Sequence, residues 1–171
     1  MEQVILVNEH DEMTGVMEKM EAHKKALLHR AFSVFVFNDK GELLMQRRAA
    51  EKYHSGGLWT NTCCSHPRPN EEVLTAAMRR LYEELGFTTT LSKAFHFKYK
   101  AAFENGLAEH ELDHVFTGYY NGSVYPNPKE VSEIAWWSPQ TLETQIKEQP
   151  ESFTAWFNIA YSKLQQWRDR K

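Results

Sequence analysis

Residues 71–86 read EEVLTAAMRRLYEELG. Leu74, Met78, Leu81 and Leu85 recur at spacings of four, three and four, which predicts an amphipathic helix over 71–85. Asn70 stands where an N-cap belongs, Glu71 and Glu72 put negative charge on the first turn, and Gly86 suits the left-handed residue that ends a helix. The polar face carries Arg79, Arg80, Glu83 and Glu84. Two readings of that face stand side by side. Arg79–Glu83 and Arg80–Glu84 can be i,i+4 ion pairs, or the helix can offer carboxylate to Mg²⁺ and guanidinium to phosphate.

Outward from this helix, strand signals dominate. Arg30–Phe37 alternates Phe32, Val34 and Val36 with Ser33, Phe35 and Phe37, so it is apolar on nearly both sides, as a strand covered on two faces must be. Asn38–Gly41 marks a hairpin turn and Glu42–Arg47 the returning strand. Leu58–Cys64 reads as extended, as do Ala94–Phe103 and Glu111–Tyr120 on either side of a turn at Glu104–Ala108, and Ile134–Trp137. Gln3–Asn8 is a short strand, Thr14-Gly15 a turn, and Met17–Leu28 a helical segment. Gln140–Lys147 and Ser152–Arg168 are helical. Strands outnumber helices and the two alternate irregularly. The expected class is α/β (α+β), a mixed β-sheet flanked by helices. One domain over residues 1–171 is expected, with 1–28 as an N-terminal extension and 139–171 as C-terminal helices.

Composition narrows the function. At 171 residues, 42% hydrophobic and 25% charged, the chain is ordinary globular material, not disordered or fibrous. Its net charge of −3 gives no basic excess for nucleic acid. No apolar run reaches the roughly 18 residues that span a bilayer. MEQVILVNEHDE lacks the basic start of a leader. The two cysteines, Cys63 and Cys64, are adjacent and poorly placed to bridge each other. Free thiols then point to a reducing cytoplasm, and no unassigned apolar stripe calls for a partner subunit, so a monomer is expected.

Three groups of residues could carry chemistry. On an extended segment Cys64 and His66 face the same way, so a thiol and an imidazole can share one wall; packing is the plainer alternative. Glu109 and Glu111 project to one side of a strand, a pair that is costly to bury without a cation, or else a solvated strand end. His23, His29 and His66 with the two Glu would make a nitrogen-and-oxygen site for Zn²⁺, Mn²⁺ or Mg²⁺, although eight histidines make coincidence easy. Cys63 is assigned to packing, and His54, His96, His110 and His114 to surface or structural roles.

The helix also resembles part of a Nudix box, which runs Gly, five residues, Glu, seven residues, then Arg-Glu-apolar-x-Glu-Glu-x-Gly-apolar. Ser65, Glu71, Arg79, Arg80, Leu81, Glu83, Glu84, Gly86 and Phe87 occupy those places. Ser65 replaces the Gly and Arg80 replaces a Glu. A carboxylate that Nudix hydrolases use in metal-assisted attack of water is here a cation, which argues against a nucleoside diphosphate hydrolase, the main rival reading. The motifs around the box are more specific. Trp59–Pro67 (WTNTCCSHP), Glu109–Leu112 (EHEL), His23 followed by Leu28–Ser33 (LHRAFS), and Arg79–Gly86 (RRLYEELG) resemble the type I isopentenyl-diphosphate isomerases, from about Val4 to Trp156.

That resemblance implies an enzyme that shifts the double bond of a five-carbon diphosphate between isopentenyl and dimethylallyl forms. It implies that His23, His29, His66, Glu109 and Glu111 hold one divalent metal (Mn²⁺, Mg²⁺ or Zn²⁺). Glu84 would help hold a Mg²⁺ that bridges to the diphosphate. Lys19, Arg48, Lys52 and Arg80 match the positions that contact the diphosphate. Cys64 and Glu111 match the proton-transfer pair, Tyr99 a tyrosine that hydrogen-bonds in the active site, and Trp156 an aromatic over the hydrocarbon.

Overall fold

The computed structural model describes residues 2–170. Nine strands and four α-helices follow in chain order: β1 (Gln3–Val7), β2 (Met13–Glu18), α1 (Lys19–Lys25), β3 (His29–Phe37), β4 (Leu43–Arg48), β5 (Trp59–Thr60), β6 (Cys63–Ser65), α2 (Val73–Leu85), β7 (Leu91–Ala102), β8 (Ala108–Tyr119), β9 (Val131–Trp137), α3 (Pro139–Glu148) and α4 (Ala155–Asp169). The nine strands form one mixed sheet. β3 is its centre: it runs parallel to β8 from His29↔Glu111 to Phe37↔Tyr119 and antiparallel to β6 over Phe32–Val34. β8 and β7 form a long hairpin, with Gly106 at φ 78° in its turn.

Alternation along β3 sorts the core into two layers. Phe32, Val34 and Val36 meet Ala76, Ala77, Leu81 and Leu85 of α2 on one face. Phe35 and Phe37 meet Phe97, Val115, Phe157, Ala160 and Leu164 on the other, under α4. Both faces are covered, which is why β3 is apolar on both sides. Cys63 packs on the α2 face and Cys64 opens to the opposite one, as neighbours on a strand must. No helix among the described residues is long and apolar enough to cross a membrane.

Several local expectations are corrected. Thr14-Gly15 is not a turn: it lies within β2, with Gly15 opposite Leu6, and Asp11 at φ 61° makes the reversal instead. α1 is only seven residues long. The Glu18 carboxylate accepts from the main-chain N–H of Met20 and Glu21 at its start, and Ala26 at φ 53° ends it. Asn70 does not cap α2. It sits at φ 67°, the helix starts at Val73, and Glu72 occupies the cap position without a side-chain bond. Leu74 is 40% exposed; small Ala76 and Ala77 take its place against the sheet. Leu58–Cys64 is two short strands. Asn61 donates to Val34 O and Cys63 O, while Thr62 Oγ1 donates to Leu44 O and accepts from Val36 N–H, so side chains replace the ladder between them. The C-terminal helix starts at Ala155, capped by Thr154, after a single 3-10 turn at Pro150–Ser152.

Candidate active site

The register of β3, β8 and β7 lines up His29, Glu111 and Tyr99 as one row across the sheet. Glu109 and Asp113 flank Glu111 on the same face, two residues to either side. β6 adds Cys64 opposite Ser33, and His66 follows just beyond its end. α1 brings His23 over the row, its ring 5.2 Å from that of His29 and 5.8 Å from that of His66.

These groups are buried and converge. The ligand atoms of His23, His29, His66 and Glu111 lie within 4.8 Å of one another. His66 Nε2 is 2.8 Å and His29 Nε2 3.4 Å from Glu111 Oε2. Main-chain carbonyls orient two of the rings: His23 Nδ1 is 2.7 Å from Lys19 O and His29 Nδ1 2.9 Å from Leu27 O. Each Nδ1 therefore carries the proton it donates, and each Nε2 presents a lone pair inward. Those two Nε2 atoms are buried without a hydrogen-bond partner among the described residues. An orphaned imidazole nitrogen is costly unless something fills the space in front of it, and a divalent cation fits. The carboxylates agree. Burial, then the charge of Glu111, raises the pKa of Glu109. Burial opposes ionisation of Glu111 as well, yet its contacts with Glu109 and His29 hold its pKa below normal. Without a metal the two share a proton; a bound cation would take that proton's place.

A cavity of about 70 Å³ opens above this cluster, walled by Cys64, His66, Glu109, Glu111 and Trp156. Lys19, Arg48, Lys52 and Arg80 line its rim. Three of the four are held by carboxylates: Lys19 by Glu2 at 2.8 Å, Lys52 by Glu130 at 2.6 Å, and Arg80 by Glu84 at 2.7 Å and Glu130 at 3.4 Å. Arg48 instead donates to His54 O at 3.1 Å and lies 5.2 Å from the Trp156 ring.

Cys64 sits in a polar cage. Its thiol donates to Asn61 Oδ1 at 3.1 Å, Trp156 Nε1–H donates to the sulfur at 3.1 Å, and Ser33 Oγ lies 3.5 Å away and donates to Asp113. Burial, reinforced by Asp113, pushes the thiol up to about 12, so it is protonated at rest. Burial likewise puts Tyr99 well above its normal value, and its hydroxyl has no partner of hydrogen-bond geometry among the described residues.

Two expected residues stand apart. Glu84 is not among the clustered metal donors: its two oxygens accept from Gln46 and Arg80. Tyr99 lies beside Glu111 in the sheet but does not line the cavity. Other residues were missed. Ser33 and Asp113 follow from continuing the alternation along β3 and β8. Glu2 carried no signal, and Asn61 was read only as part of the Trp59–Pro67 motif. His54, assigned to a surface or structural role, is buried with Nε2 2.9 Å from Glu109 Oε1. His114 fits the structural assignment, pairing with Asp11 at 3.0 Å.

Comparison with known proteins accords with this geometry. The chain is 51% identical to the isopentenyl-diphosphate Delta-isomerase of Pectobacterium atrosepticum over 95% of its length and 90% of that protein's. It is 46% identical to the Burkholderia multivorans isomerase over 99% of both chains. The protein belongs to the isopentenyl-diphosphate Delta-isomerase family. A NUDIX domain model matches residues 27–157 of this isomerase-family chain. Its fold is also that of protein DR0079 from Deinococcus radiodurans (TM-score 0.71, 21% identity, 86% of this chain and 90% of that one). The MutT protein of Methanosarcina mazei is similar as well (TM-score 0.68, 22% identity, 84% and 96%). At that identity the likeness is one of fold. The chain thus combines an isomerase-family sequence with a NUDIX-type fold.

Proposed function

We propose that this protein interconverts isopentenyl and dimethylallyl diphosphate, acting as one domain over residues 1–171. The observation that carries the reading is the joint placement of Cys64 and Glu111 in the wall of one cavity beneath a rim of four cations. Identity of 51% to a named isomerase supports it.

The reaction adds a proton to the terminal alkene carbon and removes one from the carbon on the far side of the branched centre. The intermediate resembles a tertiary cation. Glu111 delivers the first proton, with Tyr99 beside it to share hydrogen bonding. Cys64 as thiolate removes the second, and the double bond re-forms between the branched carbon and its neighbour. The return direction exchanges the two roles, so the pair needs one proton between them. Both states of Cys64 have a partner: Asn61 accepts from the thiol, while the Trp156 N–H donates to a thiolate. Trp156 also offers an aromatic face to the cation, worth up to about 2 kcal/mol when desolvated.

His23, His29, His66, Glu109 and Glu111 would hold a divalent metal (Mn²⁺, Mg²⁺ or Zn²⁺). When bound, it neutralises the buried carboxylates and fixes Glu111 in position. Glu84 would reach a Mg²⁺ shared with the diphosphate after releasing Gln46 or Arg80. Lys19, Arg48, Lys52 and Arg80 bind the diphosphate. The cations that line the cavity are already paired with Glu2 and Glu130, so substrate entry must break those pairs. The diphosphate then replaces Glu2 and Glu130 as partner of those cations. Closure behind it excludes water that would trap the cation as an alcohol.

Cys64→Ala and Glu111→Gln test the pair. Each should lower kcat by about 100-fold or more, the scale of one general acid or base. Glu111→Gln should weaken metal binding at the same time. Turnover that persists in Glu111→Gln after metal loss would make the metal structural and the proton route wrong.

A further inference from the structure

His54 lies in the loop after β4, outside every motif that marked the site. Its ring is buried and held in place. Phe103 stacks on it at 4.4 Å with 13° between planes, and Ser55 Oγ lies 3.1 Å from its Nδ1. The loop that carries it is tightly constrained. Ser55 adopts φ 55°, and a side chain at Gly56 would come within 2.4 Å of Ala50 O. Arg48 pins the carbonyl of His54 itself.

With Nδ1 turned to Ser55, Nε2 points at the His/Glu cluster. It lies 2.9 Å from Glu109 Oε1, yet the two atoms lack the alignment of a hydrogen bond, and Nε2 is buried without a partner among the described residues. The same orphaned state marks Nε2 of His23 and His29. Ligand atoms of His23, His54 and Glu109 also lie within 4.8 Å of one another. This second group shares His23 with the first. Buried imidazole nitrogens turned towards a common space beside carboxylates are an arrangement that a cation would organise.

We propose that His54 is a further ligand of the metal centre, completing a set of four imidazoles and two carboxylates around a single ion. This rests on the metal reading above and adds two consequences. Six protein donors would leave the ion little room for water or substrate. A nitrogen-rich set also favours imidazole-preferring metals such as Zn²⁺ over Mg²⁺, which prefers oxygen and water.

Co²⁺ serves as the probe, bound to purified full-length protein without diphosphate and read by visible absorption and by competition with a chelator. The wild type should bind one Co²⁺ per chain with the weak absorption of a six-coordinate ion. His54→Ala should bind at least about tenfold more weakly and show the stronger bands of a five-coordinate ion. His54→Gln, which can still donate a hydrogen bond to Glu109 but is a poor ligand, should behave like His54→Ala. A wild-type spectrum and affinity in His54→Gln would overturn the proposal and leave His54 as a brace for Glu109. Two tight ions per chain would overturn the single centre. No binding by the wild type would overturn both this proposal and the metal reading. In a protein that does bind, loss of Co²⁺ from His29→Ala with no change in His54→Ala would sink this inference alone.

Discussion

Trp156 donates its indole N–H to the sulfur of Cys64 at 3.1 Å, tying the first turn of α4 to strand β6. The contact joins two motifs 92 residues apart. It gives the indole a second task besides presenting its face to a cation: stabilising the charge on a thiolate that burial otherwise opposes.

Trp156→Phe separates the two tasks. Phenylalanine keeps an aromatic face and loses the N–H. A hydrogen bond to a charged group contributes about 1.5–3 kcal/mol, so kcat should fall roughly 10- to 100-fold with KM little changed. Single-turnover kinetics check this, and a rate equal to wild type would show that the N–H does not support the thiolate.

Glu130 holds Lys52 and Arg80 at the rim, the place proposed for the diphosphate. Glu130→Gln removes an internal competitor. Partly exposed pairs of this kind are worth up to about 1 kcal/mol, so KM should fall by a few fold while kcat stays within about twofold. Steady-state kinetics at low salt decide it; a raised KM would mean that Glu130 positions the cations and does not compete for them.

Stability should fall in mild acid, partly through His114. Burial lowers its pKa to about 4, outweighing the opposing pull of Asp11. The unfolded imidazole takes a proton near its usual 6.5, the folded one only near 4, so acid favours the unfolded chain. The contribution is complete above about pH 6.5 and is lost progressively as pH falls towards 4. Thermal melts of His114→Gln should show a flatter decline over that window. Parallel curves for variant and wild type would assign the loss to other groups.

The corrected face of α2 is also testable. Leu81 is fully buried, so Leu81→Ala should cost about 2–5 kcal/mol in a urea titration. Leu74→Ala should cost clearly less, about 1 kcal/mol or below, because that residue is 40% exposed. Equal losses at both positions would contradict the packing.

Period-two alternation is what made the site legible. It placed Cys64 with His66 and Glu109 with Glu111 on shared faces, and the sheet bears out both pairs, because a strand flanked on both sides cannot rotate its side chains out of register. The same rule, carried two residues further, reaches Ser33 and Asp113. His54 was not legible. It sits on a loop without period, aimed by a positive-φ serine and a glycine that touches the main chain, and such constraints depend on distant segments. Asn61 and Thr62 misled for a related reason: their side chains bond main-chain groups and break a run that reads as one strand. Leu74 belongs to the right stripe but lies in the first turn of α2, where periodicity alone does not say how far the covering sheet extends.

Incubation with isopentenyl diphosphate and divalent metal in D₂O, followed by NMR, tests the proposed activity most directly. Dimethylallyl diphosphate should accumulate with deuterium in its new methyl group, and no phosphate should be released. Hydrolysis to a monophosphate and inorganic phosphate, with no allylic product, would contradict the isomerase reading.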